Sequence, residues 1–179
     1  MSLVNLAGGC FSFFARPQQP KILGGPMKMQ QKGFSLIELL IVVAIILIIA
    51  AIAIPNLMRS KMAANEASAV AALRTLNTAS ISYSTTWGQF PGALASLGPM
   101  TGTSPTSATA DLIDSVLAGG TKAGYTITWA GGGGTTGYSI TAAPLTVGVT
   151  GQRYFFTDQS GVIRVNPAGA ATSASSPLS

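Results

Sequence analysis

A chain of 179 residues with no histidine and a formal charge of +5 has room for one modest domain and a membrane segment. Four of its ten basic residues, Arg16, Lys21, Lys28 and Lys32, lie upstream of a long apolar run; the remaining six face five acids, so the charge is no argument for nucleic-acid binding. Without histidine the chain lacks the commonest metal ligand and neutral-pH base, and Cys10, its lone cysteine, can close no disulfide within it.

Residues 1–26 mix apolar patches with Pro17, Pro20 and Pro26 and show neither helical nor strand periodicity. Leu6-Ala7-Gly8-Gly9-Cys10 has the outline of a lipoprotein cleavage box, but no apolar signal core precedes it. Met27 and Met29 offer later starts, and Met27 to Gly33 reads as a short basic leader. We therefore expect 1–26 to be an extension that is either misassigned or dispensable.

Lys32-Gly33-Phe34-Ser35-Leu36-Ile37-Glu38-Leu39-Leu40 opens a run that ends at Ile54-Pro55, and from Leu39 to Ile54 no residue is polar. Phe34 to Ile54 is 21 residues, about 31 Å as a helix, enough to span a bilayer. The run contains one carboxylate, Glu38, and an acid at the centre of a membrane helix costs roughly 2.5–3.5 kcal/mol. Lys32 is six residues away, outside the reach of helical neighbours. If the chain were cut after Gly33, Phe34 would carry a free ammonium one turn from Glu38. An ordinary signal peptide would explain the small-x-small sequence Ala51-Ile52-Ala53, but Glu38 interrupts the apolar core and Pro55 follows closely. Lys21, Lys28 and Lys32 are balanced by Arg59, Lys61 and Arg74 across the span, so basic residues hardly orient it.

The segment from Lys32 to Leu40, with Pro55 closing the run, closely resembles the N-terminal signature of type IV pilins and type II secretion pseudopilins. The resemblance is strong over Lys32 to Arg59 and extends to the rest only in general layout. It implies cleavage between Gly33 and Phe34 by a membrane prepilin peptidase, N-methylation of Phe34, and pairing of Glu38 with the Phe34 ammonium of a neighbouring subunit during assembly. It also implies a cytoplasmic N-terminus, a cytoplasmic assembly ATPase and a membrane platform protein as partners. Many pilins close a C-terminal loop with a disulfide, and this chain departs from them.

Pro55 removes one backbone donor and is expected to kink the helix without ending it. Met62, Ala69, Leu73, Leu76 and Tyr83, flanked by Val70 and Ile81, form an apolar stripe, with Arg59, Lys61, Asn65, Arg74 and Asn77 largely outside it. Phe34 to about Thr86 then reads as one helix near 80 Å long. Ala44, Ala50, Ala51 and Ala53 allow close approach of identical helices.

Trp87-Gly88-Gln89-Phe90-Pro91-Gly92 ends the pattern, its aromatic pair expected to cover the helix end. Leu94 to Thr109 reads as a loop, and Asp111 to Ala118, stopped by Gly119-Gly120, as a short helix. Alternation in 124–129 and 138–142, and two further segments at 153–157 and 162–165 about the turn Asp158-Gln159-Ser160-Gly161, predict three or four antiparallel strands against Ala69 to Tyr83. From 167 the Ala, Ser, Thr and Pro composition predicts disorder.

The other candidate chemistries have simpler explanations. Gly131 to Gly134 precedes no helix and no Gly-Lys-Ser/Thr, which favours a hairpin loop over a phosphate cradle. Asp111 and Asp114 share a face of the expected short helix and could bind a cation, yet acids in a first turn are favoured by the helix dipole alone. Calcium in some pseudopilin heads makes Asp158 another metal candidate, but one carboxylate is too few. Four acids outside the apolar run and serines without an evident activator do not make an active site. C-terminal serines admit glycosylation, which no sequence rule separates from a bare tail.

The expected fold is α+β, with a long N-terminal helix on a small antiparallel sheet. Its organisation is a leader (1–33), a membrane or filament-core helix (34–58), its amphipathic half (59–86), a loop with a short helix (87–123), a sheet (124–166) and a tail (167–179). The expected function is a non-enzymatic subunit of a type IV pilus or similar filament, without cofactor or metal. It is first an inner-membrane precursor and then part of an extracellular pilus or periplasmic pseudopilus. A secretion pseudopilin and a membrane-anchored binding domain that never polymerises are the alternatives.

Overall fold

A computed structural model describes residues 33–134 and 137–178. The leader through Lys32, with Cys10, Met27 and Met29, lies outside the described residues. The first element is α1, Leu36–Trp87, 52 residues with no glycine and a single proline, Pro55. Gly88 ends it in the left-handed conformation, φ +71°, donating its N–H to the Ser84 carbonyl at 2.9 Å. The aromatic pair covers that end as expected, with Trp87 packed 4.5 Å from Tyr83 and Phe90 edge-on to Tyr138.

Six antiparallel strands follow in chain order: β1 Thr121–Lys122, β2 Tyr125–Gly131, β3 Tyr138–Pro144, β4 Tyr154–Asp158, β5 Arg164–Asn166 and β6 Ser176–Pro177. The register pairs Ile127 with Ala142 and Ala142 with Phe155, so alternate residues of three strands share one buried face. That face packs with Ala69, Leu73, Leu76 and Tyr83 of α1 into one core. This is the expected α+β architecture, a long helix on an antiparallel sheet.

Several details differ from the sequence expectation. The sheet has six strands rather than three or four, because two-residue edge strands carry no detectable alternation. The tail expected to be disordered instead supplies β6, and Leu178 donates its N–H to the Ile163 carbonyl at 2.8 Å. Backbone pairing to a sheet edge does not depend on side-chain propensity, so composition could not reveal it. The loop after α1 contains a 3-10 helix, Leu94–Leu97, whose two leucines are buried. The short helix α2 spans only Ser115–Ala118: Asp111 sits at φ 57°, and Asp114 is the N-cap, accepting from Leu117 N–H at 2.8 Å. The two aspartates therefore do not share a helix face.

On the stripe, Met62 is half-buried and Ile81 exposed, whereas Asn77, expected outside it, is buried. Asn77 Nδ2 donates to Thr157 Oγ1 at 2.8 Å, and Tyr138 Oη donates to Asn77 Oδ1 at 3.1 Å. One amide thus holds α1 to two strands. Asn77→Ala should destabilise the full-length protein in detergent by about 1–3 kcal/mol, since it strands two buried hydroxyls. Urea unfolding followed by circular dichroism will check this, with exposed Ile81→Ala expected to leave the midpoint nearly unchanged.

Candidate functional site

Gly33, Phe34 and Ser35 precede the first turn of α1 in irregular backbone, and the Phe34 side chain is exposed. Ser35 is in the N-cap position: its carbonyl accepts from Leu39 N–H at 3.2 Å, and its own N–H donates to Glu38 Oε2 at 3.3 Å. That is the carboxylate half of a capping box, with glutamate at the third helical position. Glu38 therefore satisfies a backbone donor of its own helix start. The Ser-x-x-Glu spacing was legible in the sequence, and reading Glu38 only as an acid in need of a cation missed it.

Among the described residues nothing requires a glycine at Gly33, where a Cβ meets no atom within 4 Å. The apolar run beyond it is equally uncommitted: the large side chains from Leu39 to Leu57 are all exposed. This is the one helix among the described residues long and apolar enough to cross a membrane. Pro55 lies inside it, and the helix continues on both sides.

In the head, sequence reasoning overlooked Glu66. It is buried, at 7 % exposure, and lies three residues before Ala69, on the apolar stripe itself. Its Oε1 accepts from Gln152 N–H at 2.9 Å and Arg153 N–H at 3.2 Å, and its Oε2 forms an ion pair with Arg153 Nε at 2.7 Å. One residue earlier, Asn65 Nδ2 donates to the Thr150 carbonyl at 2.8 Å. These bonds hold the chain between β3 and β4 against α1. Burial raises the Glu66 pKa, but the hydrogen bonds from Gln152 and Arg153 and the Arg153 charge outweigh it, leaving the carboxyl below its ordinary value.

The remaining candidates are structural. Gly131 and the glycines after it form the β2–β3 hairpin, where Gly133 N–H donates to the Phe90 carbonyl at 3.1 Å and Phe90 N–H to the Gly134 carbonyl at 3.2 Å. A Cβ on Gly132 would overlap the Pro91 carbonyl, so close backbone approach requires that glycine. Asp114 caps α2 and pairs with Lys122 at 3.4 Å, and Asp158 accepts from Ser160 N–H at 2.9 Å within its turn. Among the described residues no three metal-ligating side chains come together.

Comparison with known proteins is concentrated on the N-terminal segment. Residues 28–54 match the model of the prokaryotic N-terminal methylation motif. Over 35 residues the chain is 63% identical to the type IV wide pilus major component PilA4 of Thermus thermophilus. That stretch is 20% of this chain and 27% of the relative, so the likeness covers about a quarter of the relative's length.

The Glu66 contacts give a pH signature. Because its folded pKa is lowered, its contribution is complete above the unfolded value near 4.5, declines as pH falls from there, and is gone below the folded pKa. Glu66→Gln should lower stability at pH 7 by about 1.5–3 kcal/mol, the range for hydrogen bonds to a charged group. It should also flatten the loss of stability below pH 4.5, as measured by urea midpoints across a pH series.

Proposed function

We propose that the chain, which carries the prokaryotic N-terminal methylation motif and is similar over 35 residues to a type IV pilus component, is a structural subunit of a type IV pilus or pilus-like filament, processed at Gly33 and polymerised through α1. The observation that carries this reading is the uncovered apolar half of α1, opened by an acid at Glu38 and preceded by a glycine that the described residues do not require. Such a surface must be covered by lipid or by copies of itself. Lipid holds the precursor in the inner membrane as a single-pass protein; helix packing replaces lipid in the filament.

A membrane prepilin peptidase cuts between Gly33 and Phe34 and methylates the new Phe34 amine. The non-helical backbone of 33–35 leaves that bond outside the helix, where a protease can engage it. Glu38 is already at the helix start, and the Phe34 ammonium of a neighbouring copy meets it where a lone charge of either sign is costly and a pair less so. That pairing fixes axial register. Pro55, which deprives the helix of one internal hydrogen bond, lets the core half bend away from the head-bearing half. An assembly ATPase and a platform protein supply the work of polymerisation, and this chain contributes no catalysis.

Two experiments test the reading. Gly33→Val should fold normally, having room for its side chain, yet accumulate as uncut precursor; intact-mass analysis showing a product that starts at Phe34 would refute peptidase recognition of the glycine. Glu38→Gln keeps an oxygen for the Ser35 N–H but loses the charge. If charge pairing drives assembly, Glu38→Gln and Glu38→Ala should both be processed and both yield far fewer filaments by electron microscopy of sheared cells. Normal filaments from Glu38→Gln alone would assign the residue to helix capping.

A further inference from the structure

We propose that the loop joining β3 to β4 is a membrane-contacting foot, with Leu145, Val147 and Val149 resting on the headgroup layer of the bilayer that holds α1. This rests on the membrane-anchored reading above. The three side chains are 59 %, 56 % and 51 % exposed and occupy alternate positions in one short segment. The loop is not loose. Leu145 N–H donates to the Gly124 carbonyl at 2.9 Å, Thr146 N–H to Thr150 Oγ1 at 3.1 Å, and Gly148 N–H to the Gly151 carbonyl at 2.9 Å. Five of its backbone N–H groups, those of Leu145, Thr146, Gly148, Val149 and Thr150, are bonded within the head while its apolar side chains are exposed, an arrangement that leaves a sticky tip unless something covers it.

The sheet's direction along α1 identifies what covers it. Tyr138, at the start of β3, and Thr157, near the end of β4, bond Asn77; Arg153 and Thr150, at the other end, bond Glu66 and Asn65. β3 therefore runs down α1 toward its apolar half, and the loop lies at the end of the sheet nearest that half. From Asn65 to Ile54 is eleven residues, about 17 Å of helix. The headgroup layer occupies about 5–8 Å of that distance. The loop lies at that end of the sheet, and the ordinary tilt of about 20° of a membrane helix lowers one side of the head toward the headgroups.

Charge agrees with this placement. Arg59 and Lys61 are exposed on α1 between the apolar run and the loop, where long basic side chains at the end of a membrane helix reach the lipid phosphates. The foot and these two cations would hold the head upright on the membrane before the subunit leaves it.

The test uses the full-length protein with Cys10→Ser and a single new cysteine carrying an environment-sensitive fluorophore, at Val147, at Gln159 on the opposite end of the sheet, or at Leu47 in the apolar run. Each is reconstituted at low density in vesicles of phosphatidylcholine and phosphatidylglycerol, with or without bromine near the top of the acyl chains or deep within them. The Val147 probe should shift to the blue and be quenched by the shallow bromines, the Gln159 probe should do neither, and the Leu47 probe should be quenched by the deep ones. A Leu47 probe quenched while Val147 matches Gln159 overturns the foot and leaves the anchor standing. A Leu47 probe that escapes quenching overturns the anchor and the foot with it. A Val147 signal that follows protein density rather than brominated lipid overturns the proposal in favour of a second copy as the covering surface.

Discussion

One helix in this protein must satisfy two solvents. From Leu39 to Ile54 every side chain is apolar, and the described fold covers almost none of them; from Glu66 to Tyr83 the same helix supplies a major share of the head's core. A membrane or a bundle of like helices suits the first part, because all its backbone bonds but the one forfeited at Pro55 are made internally. The head can do without it. Its core is closed by the sheet, the 3-10 helix and the second half of α1, so the fold can persist whether lipid or protein surrounds the rest.

That division depends on where the sheet sits along the helix, and apolar packing is a poor ruler. Burial is non-directional, and a ridge of alanine and leucine would accept a sheet slipped by one helical turn at modest cost. The polar anchors remove that freedom. Asn77 bonds Tyr138 and Thr157 near one end of the sheet, while Glu66 and Asn65 bond residues 150–153 at the other, about 17 Å along the helix. A slip would leave a buried carboxylate and a buried amide unpaired at once.

How much of this was legible follows from the range of each interaction. The long helix, its apolar run and the β2–β3 and β4–β5 hairpins rest on periodicity and turn chemistry within about ten residues, and these could be read directly. Glu66 and Asn77 find partners more than sixty residues away. In the sequence they are merely polar residues in a helix, and Asn77 was read outside the stripe although it stands seven residues from Val70, as Glu66 stands three from Ala69. Asp114 rather than Asp111 starts α2 because Asp111 takes a left-handed backbone, which composition cannot foretell. The tail is ordered by pairing with β5, and neither serine nor proline advertises an edge strand.

The N-terminal motif divides differently, between residues the fold uses and residues it ignores. Glu38 serves its own helix by closing a capping box, a duty glutamine would perform equally well without importing a charge into an apolar run. Among the described residues Gly33 serves no contact, since a Cβ built on it meets no atom within 4 Å. A charge in excess of what capping requires, and a glycine in excess of what folding requires, both point outward. Under the function proposed above, each takes on a use once another protein is present: for the glycine an enzyme that needs a narrow approach to the bond, for the charge a copy of the same helix bringing a new amine.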